Sequence, residues 1–125
     1  MRLLITGGRK IADRGLIWSI LDRLHAEHRF TLLIHGDDRG ADQLCAEWAQ
    51  ERGIPVLACP ADRKRDGRAA ATKRNRRMLA ESPGLVVAFS NDSNARHMTL
   101  IADDAGAKVL DPEDIPELWS ANEPG

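Results

Sequence analysis

The sequence predicts an α/β fold, a single domain built on a doubly wound parallel sheet of order 3-2-1-4-5 with helices on both faces. Three observations carry this. Short apolar runs alternate with amphipathic helical stretches along the 125 residues. Two of the runs, Arg2 to Thr6 and Thr31 to His35, end in glycine-bearing turns that open into helices. A further run, Leu85 to Phe89, is continuously apolar, as a strand buried on both faces requires. Right-handed crossovers then leave few topologies, and the chosen order puts strands one and four side by side at a switch point.

Taken in order, Arg2 to Thr6 is the first strand and Thr6-Gly7-Gly8-Arg9 its turn. Asp13 is placed to cap a helix whose apolar stripe is Leu16, Ile17, Ile20, Leu21 and Leu24. After the second strand comes His35-Gly36-Asp37-Asp38-Arg39-Gly40-Ala41-Asp42, then a helix with Ala41, Leu44, Cys45, Trp48 and Ala49 at helical spacing. Gly53 and Pro55 stop it. Pro55 to Cys59 is the third strand, and a helix is expected from about Ala69 to Glu81. Ser82-Pro83-Gly84 breaks it before strand four. The loop Ser90-Asn91-Asp92-Ser93-Asn94 leads into a helix with Met98, Ile101, Ala102 and Ala105 on one face, and Lys108 to Leu110 is the last strand. Residues 1–110 are read as the domain and residues 111–125 as an acidic tail with one short turn around Ile115, Leu118 and Trp119.

Bulk properties narrow the function. The formal net charge is -1, yet Arg63 to Arg77 holds eight cations against the single acid Asp66, so a neutral total hides a basic patch. No run approaches a membrane span, and no signal-peptide pattern precedes Gly7 and Gly8, so the reading is a cytoplasmic protein with no membrane partner. Cys45 and Cys59 are read as reduced core thiols. His25 and His28 stand three apart on a helix with no third ligand, which argues against a metal, and no cofactor is expected. Trp18, Trp48 and Trp119 are packing residues, with Trp119 a candidate subunit contact in a homo-oligomer.

The loops after strands one, two and four share one crevice at the carboxyl edge. Gly7, Gly8, Gly36 and Gly40, with Thr6 and Arg9 beside them, are expected to contact phosphate through loop amides and helix N-termini. Arg39 adds charge, and Ser90, Asn91, Ser93 and Asn94 complete the cradle. Asp42, in the first turn of its helix, is read first as a cap and second as a ribose contact. His35 ends a strand, where it bonds to a neighbouring loop or acts as a base without an orienting carboxylate. Arg74 and Asn75 suit a phosphate and a base or ribose, against the alternative of a solvated basic face.

Several motifs share a register with a known group: Thr6-Gly7-Gly8-Arg9, His35-Gly36-Asp37-Asp38-Arg39-Gly40-Ala41-Asp42, Ala46-Glu47-Trp48-Ala49, Pro60-Ala61-Asp62, Gly67, Arg74-Asn75 with Met78, and Val86-Val87-Ala88-Phe89. On these the chain resembles the SLOG superfamily, the Rossmann-like group that includes the LOG-type phosphoribohydrolases and the DNA-processing protein DprA. Within it the chain is most similar to the small YspA-like proteins. The resemblance draws Arg74 towards the pocket and implies binding of a nucleotide or nucleotide-derived small molecule. Its two alternatives are N-glycosidic hydrolysis of a nucleoside monophosphate and a DprA-like nucleic-acid module using Arg63 to Arg77. The basic stretch lacks the interleaved aromatics of a single-strand platform, which places nucleic acid second.

The chain also departs from the group. Ser90-Asn91-Asp92-Ser93-Asn94-Ala95 stands where a Pro-Gly-Gly-x-Gly-Thr-like loop is usual. His97 stands where LOG-type enzymes place a catalytic Glu. Arg63 replaces a usual tryptophan, and Ala71-Thr72 a Gly-Pro pair. If catalysis is retained, Asp92, His97 and Arg74 are the candidates, and hydrolysis is expected to be weak or absent.

Overall fold

The computed structural model describes residues 1–90 and 92–119, the side chains of Leu118 and Trp119 excepted. Asn91, assigned above to the phosphate cradle, and the subunit-contact role of Trp119 therefore lie outside what is described. Five parallel strands form one sheet of order 3-2-1-4-5: β1 (Arg2–Thr6), β2 (Leu32–His35), β3 (Val56–Ala58), β4 (Leu85–Ala88) and β5 (Lys108–Leu110). β1 is central, pairing Leu3 with Leu33 on one side and with Leu85 on the other.

Strand alternation divides the core between the two faces. Leu3, Ile5, Leu33, Leu85 and Val87 pack against α1 (Arg14–His28) and α2 (Ala41–Glu51). Leu4, Ile34 and Val86 pack against Met78 of α4 (Ala70–Leu79) and Met98 and Ala102 of α5 (Ser93–Asp104). Asp13 caps α1 as expected, its Oδ1 accepting from the Leu16 amide at 3.0 Å. At the other end, His25 Nδ1 accepts from the Phe30 amide at 3.0 Å. Trp48 is fully buried and its indole donates to Asp22 Oδ1 at 2.8 Å, while Arg52 closes the same carboxylate through Nε and Nη2.

Several boundaries move. The helix expected from about Ala69 to Glu81 is α4, which runs Ala70–Leu79, and ahead of it stand a short α3 (Arg63–Asp66) and a 3-10 turn (Gly67–Ala69) where no helix was expected. Asp62 Oδ1 caps the Arg65 amide and starts α3, and Gly67 at a φ of 56° breaks it. The second strand starts at Leu32, the third runs Val56–Ala58, and the fourth ends at Ala88. The Phe89 amide nonetheless still bonds to the Thr6 carbonyl. After β5, a 3-10 turn (Pro112–Asp114) and α6 (Pro116–Trp119) return towards α1, where Arg23 donates to the Glu117 carbonyl and Ile115 joins the first core cluster.

Candidate functional site

The loops after β1, β2 and β4 meet at the carboxyl edge. Gly8 is the joint between the first two: its carbonyl accepts from Ile11 at 3.1 Å and from Ala41, the first residue of α2, at 2.9 Å. Gly40 makes this approach possible. It sits at a φ of 74°, and a Cβ there would lie 2.3 Å from the Gly8 oxygen. The third loop is joined through Ser90. Its Oγ accepts from the Gly8 amide at 3.0 Å and donates to Asp92 Oδ2 at 2.7 Å, while Asp92 Oδ1 caps α5 at the Ala95 amide.

The loop after β2 was expected to offer free amides to an anion. Instead three of its amides are satisfied from within. Asp42 Oδ2 accepts from Gly36 and from Asp38, each at 3.1 Å, and His35 Nδ1 accepts from Asp37 at 2.9 Å. Asp42 thus closes the loop ahead of its helix and, contrary to the cap expected from its place in the first turn, accepts from none of the helix's own amides. Burial pushes its carboxyl up to about 7, and the nearby Asp38 charge adds to this, against the amides and Arg74. Burial likewise holds the His35 imidazole below its ordinary value, opposed by Asp37 and Asp38, so the ring is neutral and shapes the loop.

Arg74 is nearly fully buried, not part of a solvated face. Nη1 donates to the Gly36 carbonyl at 2.7 Å, Nε to Asn75 Oδ1 at 3.0 Å, and Nη2 reaches Asp38 Oδ2 at 3.4 Å. Asp38 also meets Arg9 Nη2 at 3.4 Å, so one carboxylate stands between two guanidinium groups. Asn75 is buried and ties α4 to α5, donating to Asn94 Oδ1 at 3.0 Å and lying 3.1 Å from His97 Nδ1. Burial, then the charge of Arg76, lowers the His97 ring's affinity for a proton.

What remains open is a cleft of about 540 Å³ between the β1 and β4 loops and the start of α4. Its wall holds Gly8, Arg9, Arg74, Ser90, Ser93 and Asn94 among the residues expected from sequence, together with Asp92. Thr6, Gly7, His35, Gly36 and Asn75 support this wall without lining it, as do Gly40 and Asp42. Arg39 is exposed outside it. Thr6 Oγ1 is buried with no hydrogen-bond partner among the described residues.

Sequence reasoning missed Lys10, Ile11 and Ala71 as lining residues, and it noted Arg63 as part of the basic stretch and as a departure from the group, not as part of the site. The available signal was Arg9-Lys10 following the glycine turn, since two cations beside flexible backbone suit an anion. Arg9, Lys10, Arg63 and Arg74 face the cleft against one carboxylate, Asp92. Burial works to raise the Asp92 carboxyl, but the Ala95 amide, Ser90 hydroxyl, Arg9 charge and Asn94 amide together hold it below the usual range. Elsewhere in the basic stretch, Arg65, Lys73 and Arg77 gather around Asp66. Among the described residues no group of three potential ligands could hold a metal ion, and no helix is long and apolar enough to cross a membrane.

Fold and loops together define a Rossmann-like α/β protein with a cation-lined cleft at the switch point of its sheet. The chain belongs to the YspA, cpYpsA-related SLOG family, whose pattern it matches over residues 1–65. Gene 61 protein of Mycobacterium phage D29 is 32% identical over 123 residues, covering 92% of this chain and 98% of that protein. DNA processing protein A (DprA) from Streptococcus pneumoniae shares the fold with a TM-score of 0.70 at 17% identity, over 97% of this chain and 53% of DprA. The Moco carrier protein from Chlamydomonas reinhardtii does so with a TM-score of 0.55 at 16% identity, over 95% of this chain and 82% of that one.

Proposed function

We propose that the protein binds a nucleotide or nucleotide-derived small molecule through its anionic group in the cleft between the β1 and β4 loops. One observation carries this reading: Arg9, Lys10, Arg63 and Arg74 converge on a volume of about 540 Å³ at the carboxyl edge, with Asp92 the only acid among the described residues of the wall. Such a volume lies within the range of small-ligand sites. Arg9 and Arg63 offer fork-shaped donors to a phosphate, and the Ser93 hydroxyl and Asn94 amide add polar contacts to a sugar or base. Arg74 and Asp38 hold Arg9 and the β2 loop in place. The family and its SLOG neighbours support a nucleotide-related role without specifying the ligand.

Binding is favoured over N-glycosidic cleavage because the carboxylate in the wall is already engaged. Asp92 bonds to Ser90 through one oxygen and to the Ala95 amide through the other. A DprA-like nucleic-acid module is the weaker alternative, since Asp66 gathers three of the cations it would use. Calorimetric titration with adenosine, guanosine, cytidine and uridine monophosphates and with inorganic phosphate tests the reading. At least one nucleotide should bind more tightly than phosphate, and Arg9→Ala with Arg63→Ala should weaken it by roughly tenfold or more. Binding that survives both changes in a folded protein overturns this location.

A further inference from the structure

The carboxyl edge carries a second hollow beside the cleft. It encloses about 440 Å³ at the ends of β4 and β5, and Ser90, which walls the cleft, walls this hollow too. The two differ in charge. Among the described residues of their walls, the cleft sets four cations against Asp92, whereas the hollow sets Asp111 and Asp114 against Arg96. An anionic group is thus drawn to the first and kept from the second. The hollow also offers apolar surface. Ala88 and Val109 come from neighbouring strands, and Leu100 of α5 is 66% exposed, the most open large apolar side chain among the described residues. A flat ring laid there would cover surface that now faces water.

The polar groups of the wall set which ring. Thr99 adds no donor, because its hydroxyl is given to the Ala95 carbonyl at 2.9 Å. Asp111 is half-buried at the end of β5, and its Oδ1 accepts from the Glu113 amide at 2.9 Å, which fixes the direction of the carboxylate. Both carboxylate oxygens can accept further bonds. Asp114 adds a second negative charge and Arg96 a donor fork. We propose, resting on the nucleotide reading above, that the hollow is the base subsite of the same ligand and that the base is guanine. The phosphate lies in the cleft, the sugar passes over Ser90, and the ring lies on Leu100 and Val109. Guanine presents N1–H and N2–H side by side, two parallel donors that match a carboxylate, and its O6 accepts from a guanidinium. Adenine and cytosine place a ring acceptor beside their amino group, and uracil a carbonyl on each side of its one N–H, so each turns an acceptor towards Asp111.

Calorimetric titration of the full chain with guanosine, inosine, adenosine and xanthosine monophosphates and with inorganic phosphate tests this. Guanosine monophosphate should bind tightest. Inosine monophosphate lacks the 2-amino group and should bind roughly fivefold more weakly, and adenosine monophosphate roughly tenfold or more. Asp111→Asn keeps an acceptor for the Glu113 amide, so the turn should hold, and circular dichroism checks it. An amide accepts from N1–H but donates to the 2-oxo group of xanthine, so in this variant xanthosine monophosphate should bind more tightly than guanosine monophosphate. Inorganic phosphate, which reaches the cleft alone, should bind parent and variant within about twofold of each other. Should no nucleotide bind more tightly than phosphate, the nucleotide reading fails and the base subsite with it. Should nucleotides outbind phosphate without favouring guanine, or should Asp111→Asn keep the parent's order of preference, the cleft reading stands and this subsite is overturned.

Discussion

Arg74 Nη1 donates to the carbonyl oxygen of Gly36 at 2.7 Å, so a buried cation of α4 is fastened to the loop leaving β2. The contact is close enough that a Cβ on Gly36 would stand 2.3 Å from that nitrogen. Arg74→Ala strands the Gly36 oxygen and the Asn75 side chain without this donor and should destabilise the protein by about 3 kcal/mol. Arg74→Lys keeps the charge but loses the fork, and should recover only part of the loss. Urea unfolding at fixed pH measures both; an Arg74→Ala protein as stable as the parent would show that the loop finds other partners.

Asp42 sets a pH dependence opposite to that of an ordinary paired carboxylate. Its folded-state pKa is raised to about 7, above its unfolded value, so between about pH 4 and 7 the folded state holds more protons. Its contribution is therefore most favourable below this window and is lost as pH rises through it, by an amount of order a few kcal/mol. His35 runs the other way, because its depressed pKa costs stability as pH falls below 6.5. Asp42→Asn retains a carbonyl acceptor for the Gly36 and Asp38 amides while removing the titration. Urea denaturation at intervals from pH 4.5 to pH 8 should thus show Asp42→Asn gaining stability relative to the parent as pH rises. A constant difference between the two proteins would refute the assignment.

Charge reversal separates the cleft from the basic surface. Arg65→Glu, Arg68→Glu and Arg76→Glu together should leave nucleotide affinity within about twofold, since none of the three lines the cleft. Arg63→Ala alone should weaken it roughly tenfold. A larger, strongly salt-dependent loss from the triple variant, read with a short single-stranded oligonucleotide, would point to nucleic acid as the partner.

Release of base from nucleoside monophosphates should be weak or absent. Cleavage of the glycosidic bond develops positive charge at the ribose, which a carboxylate stabilises. His97 stands where the resembled enzymes carry that carboxylate, and burial lowers its ring's affinity for a proton. Asp92 already bonds to Ser90 and Ala95. Chromatographic detection of free base from all four monophosphates decides the matter. Robust turnover abolished by Asp92→Asn would mean that the altered loop supports catalysis after all.

Much of this protein is written locally. Alternating apolar runs and helical stripes suffice for the element order, and crossover handedness narrows the sheet to a few orders, among which 3-2-1-4-5 is the one formed. Asp13 as a cap, and the glycine turns that bring three loops to one edge, follow from residue chemistry within a few positions. Local reading failed where two local signals competed. At Asp62 to Gly67 a cap and a helix-breaking glycine enclose a one-turn helix where none was expected, and the strength of each depends on its surroundings.

The sequence by itself therefore determined the architecture and the group of residues at the carboxyl edge. Only the tertiary structure decided which of them line the open cleft and which face each other. The deciding bonds join distant residues: Arg74 to Gly36 across 38 positions, and Gly8 to Ser90 across 82. Once Asp42 had taken the amides of its own loop, the open cations were Arg9, Lys10 and Arg63. The physical reason is that a buried polar group must find a partner, and which partner is in reach depends on packing that no local pattern encodes.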